Sequence, residues 1–217
     1  MVVLGGCLGD ESTPRVQGYW GRALEGHQIA VTEISRESAS LGSQELPFES
    51  RFGVAFLQDL GLKVSISQAS QPVGFWLDLT NENETAIRVL WPDSRYVDEN
   101  GVPHELFAQP MNPLPSPEAM KEGTAPTEVR PGARINYVVA PIYKASVMRY
   151  DAYERGSHHA PLIPTDLTNR SRFPDEDSVK NYVADLARRR TAVSLILPIE
   201  MNGERHDYTF RFLVTEL

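Results

Sequence analysis

The sequence contains one cysteine and no long apolar run. Cys7 is the only cysteine among the 217 residues, so an internal disulfide and a cysteine-only metal cluster are both excluded. A membrane-spanning helix needs about 20 consecutive apolar residues, and no stretch of the sequence approaches that length. The longest apolar runs have the length of a strand.

Positive charge is also scarce, with 21 Lys and Arg against 29 Asp and Glu and a net charge of −8. Because phosphate binding requires concentrated Lys and Arg, this balance argues against nucleic acid and anionic lipid surfaces as partners. P-loop, dinucleotide, H-E-x-x-H and G-x-S-x-G motifs are absent from the sequence. We therefore assign no catalytic residue and no metal ligand, and expect no cofactor.

Turn residues are abundant, with 16 prolines and 15 glycines, which favours short strands. Apolar and polar residues alternate with a period of two, as in half-buried strands, at 27–34, 62–68, 75–80, 134–139 and 193–214. Asn100-Gly101 and Asn202-Gly203 are typical of hairpin turns. Six prolines in 109–132 predict an extended surface loop outside the sheet.

One amphipathic helix is predicted at about 175–190. Acidic residues follow Pro174 and three arginines end the segment, in accord with the helix dipole. Its apolar stripe consists of Val179, Tyr182, Val183 and Leu186. Many strands, one helix and no βαβ alternation predict a mainly β fold, an antiparallel immunoglobulin-like β-sandwich with the helix before a C-terminal hairpin. We expect a single domain over 27–217.

Cys7 has three interpretations: a buried core residue, a reactive thiol and a lipidated residue. Its glycine-rich and acidic neighbours disfavour the first two. The stretch LGGC ending at Cys7 resembles the lipobox of bacterial lipoproteins, in which a peptidase cuts before a cysteine that carries lipid on its sulfur. Residues 1–26 would then be a lipobox remnant and tether. A signal peptide has an apolar run of about 7–15 residues, which is missing here, so the chain as numbered is expected to stay soluble and unlipidated.

Three segments resemble an uncharacterised family of bacterial lipoproteins with an Ig-like β-sandwich. They are LTNENETAIRVLWPDSRYVDENGVPHEL, VRPGARINYVVAP and LILPIEMNGERHDYTFRF. The first contains the hairpin pattern W-x-D-S-x-Y-x-D-x-x-G, with Pro92 as an extra residue relative to the W-D of the family, and the last contains the L-P-I…Y-T-F-R-F strand pair. The resemblance covers about 60–217. The resemblance implies an envelope protein anchored by lipid, and it implies no reaction. Leu8 after the cysteine implies that the protein is sorted to the outer membrane, where it faces the periplasm.

A polar and aromatic cluster in 149–163 includes Tyr150, Tyr153, His158 and His159. These residues are either a solvated loop or a contact for a ligand or a metal ion. Trp76 alternates out of phase with Phe75 and Leu77, so it lies either in a core beneath the helix or on an exposed surface. The candidate binding surface therefore consists of Trp76 and the four residues of this cluster.

We expect a non-enzymatic binding or assembly module that meets an envelope protein or a glycan through its loops or a sheet edge. Membrane contact would be made only through a lipid on Cys7. One alternative is a metal-assisted hydrolase or glycan-active enzyme centred on His158 and His159, which requires titratable groups that converge in a pocket. Another is a structural subunit whose open sheet edge is completed by a strand of another chain.

Overall fold

The structure is a computed structural model, and it describes residues 27–69, 74–110, 124–141 and 174–216. The predicted mainly β fold is confirmed: in these ranges the strands are antiparallel, and one helix precedes a C-terminal hairpin. The strands are β1 His27–Ser38, β2 Gly42–Glu45, β3 Phe48–Arg51, β4 Val54–Asp59, β5 Leu62–Ala69, β6 Gly74–Asn81, β7 Ile87–Val89, β8 Arg95–Val97, β9 Pro103–Pro110, β10 Thr127–Val129, β11 Arg134–Pro141, β12 Ala192–Met201 and β13 Glu204–Glu216. The helix is α1 Glu176–Arg189, and a 3-10 turn occupies Trp91–Asp93.

The strands form one curled sheet in the order β2-β1-β13-β12-β8-β9-β11-β6-β5-β4-β3, with β7 beside β12 and β10 beside β7. The sheet curls on itself, so β1 contacts β4 and β5 across the interior. We call β2, β1, β13, β12 and β8 the first half and β9, β11, β6, β5, β4 and β3 the second half. The result is a half-barrel that resembles a β-sandwich.

The core lies between the two halves. The inward residues of β6, which are Phe75, Leu77 and Leu79, are all buried, as the period-two pattern predicts. The buried residues of β13 include Tyr208, Phe210, Phe212 and Val214. The rings of Phe75 and Phe212 meet across the core with centroids 4.6 Å apart. Apolar side chains from both halves therefore interdigitate in one continuous cluster.

Helix α1 contributes to the same cluster through Val179, Val183 and Leu186, and it contacts β13. Its first turn is held by a capping box in which the Ser178 amide donates to an Asp175 carboxylate oxygen at 2.8 Å. Its last turn ends at Arg190, which has a left-handed φ of 54°. The predicted helix is thus present within a residue of its expected bounds, and its apolar stripe faces the interior.

Two details of the connections differ from the sequence prediction. The segment 109–132 is not entirely outside the sheet, because Gln109 and Pro110 end β9 and Thr127–Val129 forms β10. Pro126 and Pro131 flank β10 and leave its backbone donors intact. At the β8–β9 turn only Gly101 has a positive φ, 79°. The Asp98 carboxylate closes this longer turn by accepting hydrogen bonds from the amides of Asn100 and Val102 at 2.8 and 2.9 Å.

A buried ion pair joins the two halves. Arg36 on β1 is 3% exposed, and its Nη1 lies 2.5 Å from Oδ2 of Asp59 at the end of β4. The Tyr208 hydroxyl of β13 donates to the same oxygen at 2.8 Å, and Arg36 also donates to Oε1 of Gln44 at 2.8 Å. Because a buried charge is costly without partners, these polar groups stabilise the contact between the halves only as a set.

We expect Asp59→Ala to lower the free energy of unfolding by about 3–5 kcal/mol, because it leaves the Arg36 guanidinium buried without its counter-charge. Urea unfolding followed by circular dichroism measures this loss. The matched control is Glu33→Ala, which removes an exposed pair with Arg211 at 3.1 Å and should cost at most about 1 kcal/mol. If both variants lost the same free energy of unfolding, the buried pair would not be stabilising the contact between the halves.

Burial, with the hydrogen bond to Asp59 as a smaller contribution, raises the pKa of Tyr208 well above its ordinary value. The folded protein therefore keeps a proton that the unfolded chain releases above about pH 10. This stabilisation is complete below about pH 10 and is lost as the pH rises beyond it. We expect Tyr208→Phe to flatten the alkaline decline of unfolding free energy, measured by urea titrations from neutral to strongly alkaline pH; an unchanged slope would contradict this assignment.

Candidate binding face

The outward side chains of β3, β4, β5, β6 and β11 lie on one side of the sheet, which we call the outer face. They are exposed or half-buried apart from Val138, which is 7% exposed. Because paired residues stand opposite each other, the register arranges these side chains in three rows across the sheet. From one end of β4 to the other, the rows are Gln58-Lys63-Thr80-Arg134, Glu49-Phe56-Ser65-Asp78-Asn136 and Arg51-Val54-Ser67-Trp76-Val138. A shift of one residue would expose the buried apolar set, so the core itself fixes these rows.

An open groove of about 710 Å³ crosses the outer face. Its lining includes Phe48, Glu49, Phe56, Lys63, Asp78 and Arg134. This volume lies within the range of about 300–1,000 Å³ that is typical of small-molecule sites. Unlike an apolar pocket, the groove combines an aromatic ring with charged and hydrogen-bonding groups.

The polar groups at the β6–β11 side of the groove are fixed by one another. Arg134 Nε donates to both carboxylate oxygens of Asp78, at 2.8 and 2.7 Å, and Asn136 Nδ2 donates to one of them at 3.1 Å. The hydrogen bond to Asp78 raises the pKa of Arg134 above its ordinary value, and the attraction of the two charges adds to this effect. Arg134 therefore keeps its charge beside Asp78, and the two side chains are oriented before any ligand arrives.

The β3–β4 hairpin supplies the aromatic part of the surface. Three of the eight phenylalanines of the chain, Phe48, Phe52 and Phe56, occur in this hairpin. Phe48 packs against the core, whereas Phe56 is 45% exposed in the middle row. Phe52 is fully exposed at the turn, where its φ of 54° and the φ of 76° at Gly53 reverse the chain. Phe56 thus presents a ring within the groove, and Phe52 presents one outside it.

Trp76 is the only sequence-predicted site residue within the described ranges. It is half-buried on the outer face, in register with Ser67 and Val138, and two residues along β6 from Asp78. The apolar stripe of α1 lies in the inner cluster, on the opposite side of the sheet from Trp76. The remaining predicted residues, Cys7, Tyr150, Tyr153, His158 and His159, lie outside the described residues.

Acidic residues around the β8–β9 turn are engaged within the protein. Asp98 accepts from its own turn and lies 2.8 Å from Nε2 of His104, and Asp93 pairs with Arg205 at 2.8 Å. In the ranges that the structure describes, no group of three or more His, Cys, Asp and Glu side chains is arranged to hold a metal ion. These carboxylates therefore stabilise the hairpin and its neighbours.

The groove was not predicted from the sequence, because its residues come from distant parts of the chain. Phe56 and Arg134 approach one face only through the order β4-β5-β6-β11. One signal for the outer face was present, since Trp76 alternates out of phase with the buried residue Phe75.

Comparison of the chain with protein-family models, with curated proteins and with solved structures found no match. No helix in the described part of the chain combines the length and the apolar character needed to cross a bilayer. The outer face is therefore the feature from which we infer a function.

We expect Phe56→Ala to change the free energy of unfolding by less than about 1 kcal/mol, because the Phe56 ring faces solvent. Its neighbour Leu57 faces the core and is 3% exposed. Leu57→Ala should therefore cost about 2–5 kcal/mol. Urea unfolding of the two variants checks this difference, and a larger loss for Phe56→Ala would refute its outward placement.

Proposed function

We propose that the protein is a binding module of the bacterial cell envelope, anchored by lipid on Cys7, that holds a ligand on its outer face. The observation that carries the proposal is the groove, in which an exposed ring lies beside polar groups that are already oriented. The groove is built on strands, and sites on strands are held more rigidly than sites on loops. Binding there would cost little reorganisation of the protein.

The groove chemistry favours binding over catalysis. Asp78 is held by Arg134 and Asn136, and Lys63 pairs with Glu82 at 2.5 Å. A general acid or base must reach the reacting atom and exchange a proton with it. Groups that are bound to each other in this way are suited to orient a ligand by hydrogen bonds.

The anchor is proposed from the sequence. The LGGC stretch at Cys7 and the resemblance over about 60–217 both support a lipoprotein, with the outer membrane facing the periplasm as its location. A polar segment of about twenty residues separates Cys7 from β1. Such a tether would let the module reach an envelope protein or a glycan near the membrane surface.

The anchor is tested by mass spectrometry of the protein expressed in a bacterium from the gene with its full upstream region. We expect a mature chain that begins at Cys7 and carries acyl groups on this residue. Cys7→Ala is the control and should remain unprocessed. An intact, unmodified N-terminal segment in the parent protein would refute the lipid anchor.

The binding role is tested by placing a photo-crosslinking residue at Ser65, in the middle row of the outer face, in living cells. The matched control places the same residue at Glu33, an exposed position of the first half. We expect several-fold more cross-linked product from position 65 than from position 33. Equal yields from the two positions would contradict a ligand on the outer face.

A further inference from the structure

We propose that the ligand of the outer face is a neutral oligosaccharide, which lies across β4, β5, β6 and β11 with one sugar ring against Phe56. This inference rests on the proposed binding function and names its ligand class. It follows from the charge balance of the groove and from the residues around the exposed ring of Phe56. It also follows from the pairing of the strands beneath the groove, each of which has a neighbour on both sides.

Charge is balanced on the outer face. Each cation that the structure describes in the groove lining has an acidic partner. The pairs are Arg51–Glu49, Lys63–Glu82 and Arg134–Asp78, with N–O distances of 2.6, 2.5 and 2.5 Å. An anionic ligand requires cations that are not already compensated, and a cationic ligand requires free carboxylates. The balance of the face therefore favours a ligand without net charge, although the whole chain carries −8.

The surroundings of Phe56 match the two kinds of surface on a sugar ring. A pyranose presents C–H groups on its face and hydroxyls on its rim. Phe56 offers an apolar ring, and Glu49 and Ser65 stand beside it on the neighbouring strands, with Gln58 two residues along β4. Neighbouring strands are about 4.8 Å apart, close to the length of one sugar unit in a chain. Successive sugars could thus meet successive strands.

The backbone beneath the groove is already paired, which disfavours an extended peptide. Strands β4, β5, β6 and β11 each have a partner on both sides, so their backbone groups are already hydrogen-bonded within the sheet. A peptide that adds as a strand requires an open edge. The nearest edge is β3, which is four residues long, follows Pro47 and carries Glu49 and Arg51, features that protect edges from pairing.

The test uses the full chain with chitohexaose, cellohexaose and maltohexaose as neutral probes, measured by isothermal titration calorimetry. We expect at least one probe to bind, with a dissociation constant that is unchanged between low and high salt. Phe56→Ala should weaken this binding by about tenfold or more, whereas Phe56→Trp should retain it. The matched control is Phe52→Ala, which removes the exposed ring of the same hairpin outside the groove and should leave the affinity unchanged.

Three results would overturn the inference. The first is no binding of any neutral probe at millimolar concentration. The second is binding of polygalacturonate that is tighter than that of the neutral probes and weakens with salt. The third is equal loss in Phe52→Ala and Phe56→Ala. Cross-linking from Ser65 to an envelope protein, without binding of the neutral probes, would refute the glycan and leave the proposed binding function standing; failure of both experiments would refute both.

Discussion

The Arg36–Asp59 contact is the interaction on which the shape of the molecule depends. The two halves are continuous at the β8–β9 hairpin, but on the opposite side the edge strands β2 and β3 are joined only by the chain through Leu46 and Pro47. Across this open side, the ion pair and the Tyr208 hydroxyl provide the directed contact between β1, β13 and the end of β4. Apolar packing stabilises the contact between the halves but is not directional. These hydrogen bonds are directional, so they fix the position of one half relative to the other.

The register of the strands decides both which side chains form the core and which form the outer face. Leu57, Val64 and Leu79 are buried because they face inwards, and their neighbours in the chain must face outwards. The packing of the core thus sets the order of the outer rows. This explains how side chains as far apart in sequence as Phe56 and Arg134 can form one groove without a dedicated loop.

Sequence reasoning succeeded where local pattern and burial agree. The alternation in β5, β6 and β13, the helix with its capped ends and the Asn202-Gly203 turn were all predictable, since each is fixed by neighbouring residues. Strand β2 was not, because all four of its residues are exposed and no alternation results. The Arg36–Asp59 pair and the groove could not be read from the sequence, because both depend on how the sheet curls and on which distant strands become neighbours.

The placement of β1 has a mechanical consequence. This strand lies between β2 and β13 in the first half, and it is paired with β13 along eleven positions that run from His27 to Ser38. Antiparallel hydrogen bonds lie perpendicular to the strands, so a pull along β1 from its N-terminal end loads the whole ladder in shear and cannot peel one bond at a time. A force applied to His27 along the strand would therefore be shared by all eleven paired positions.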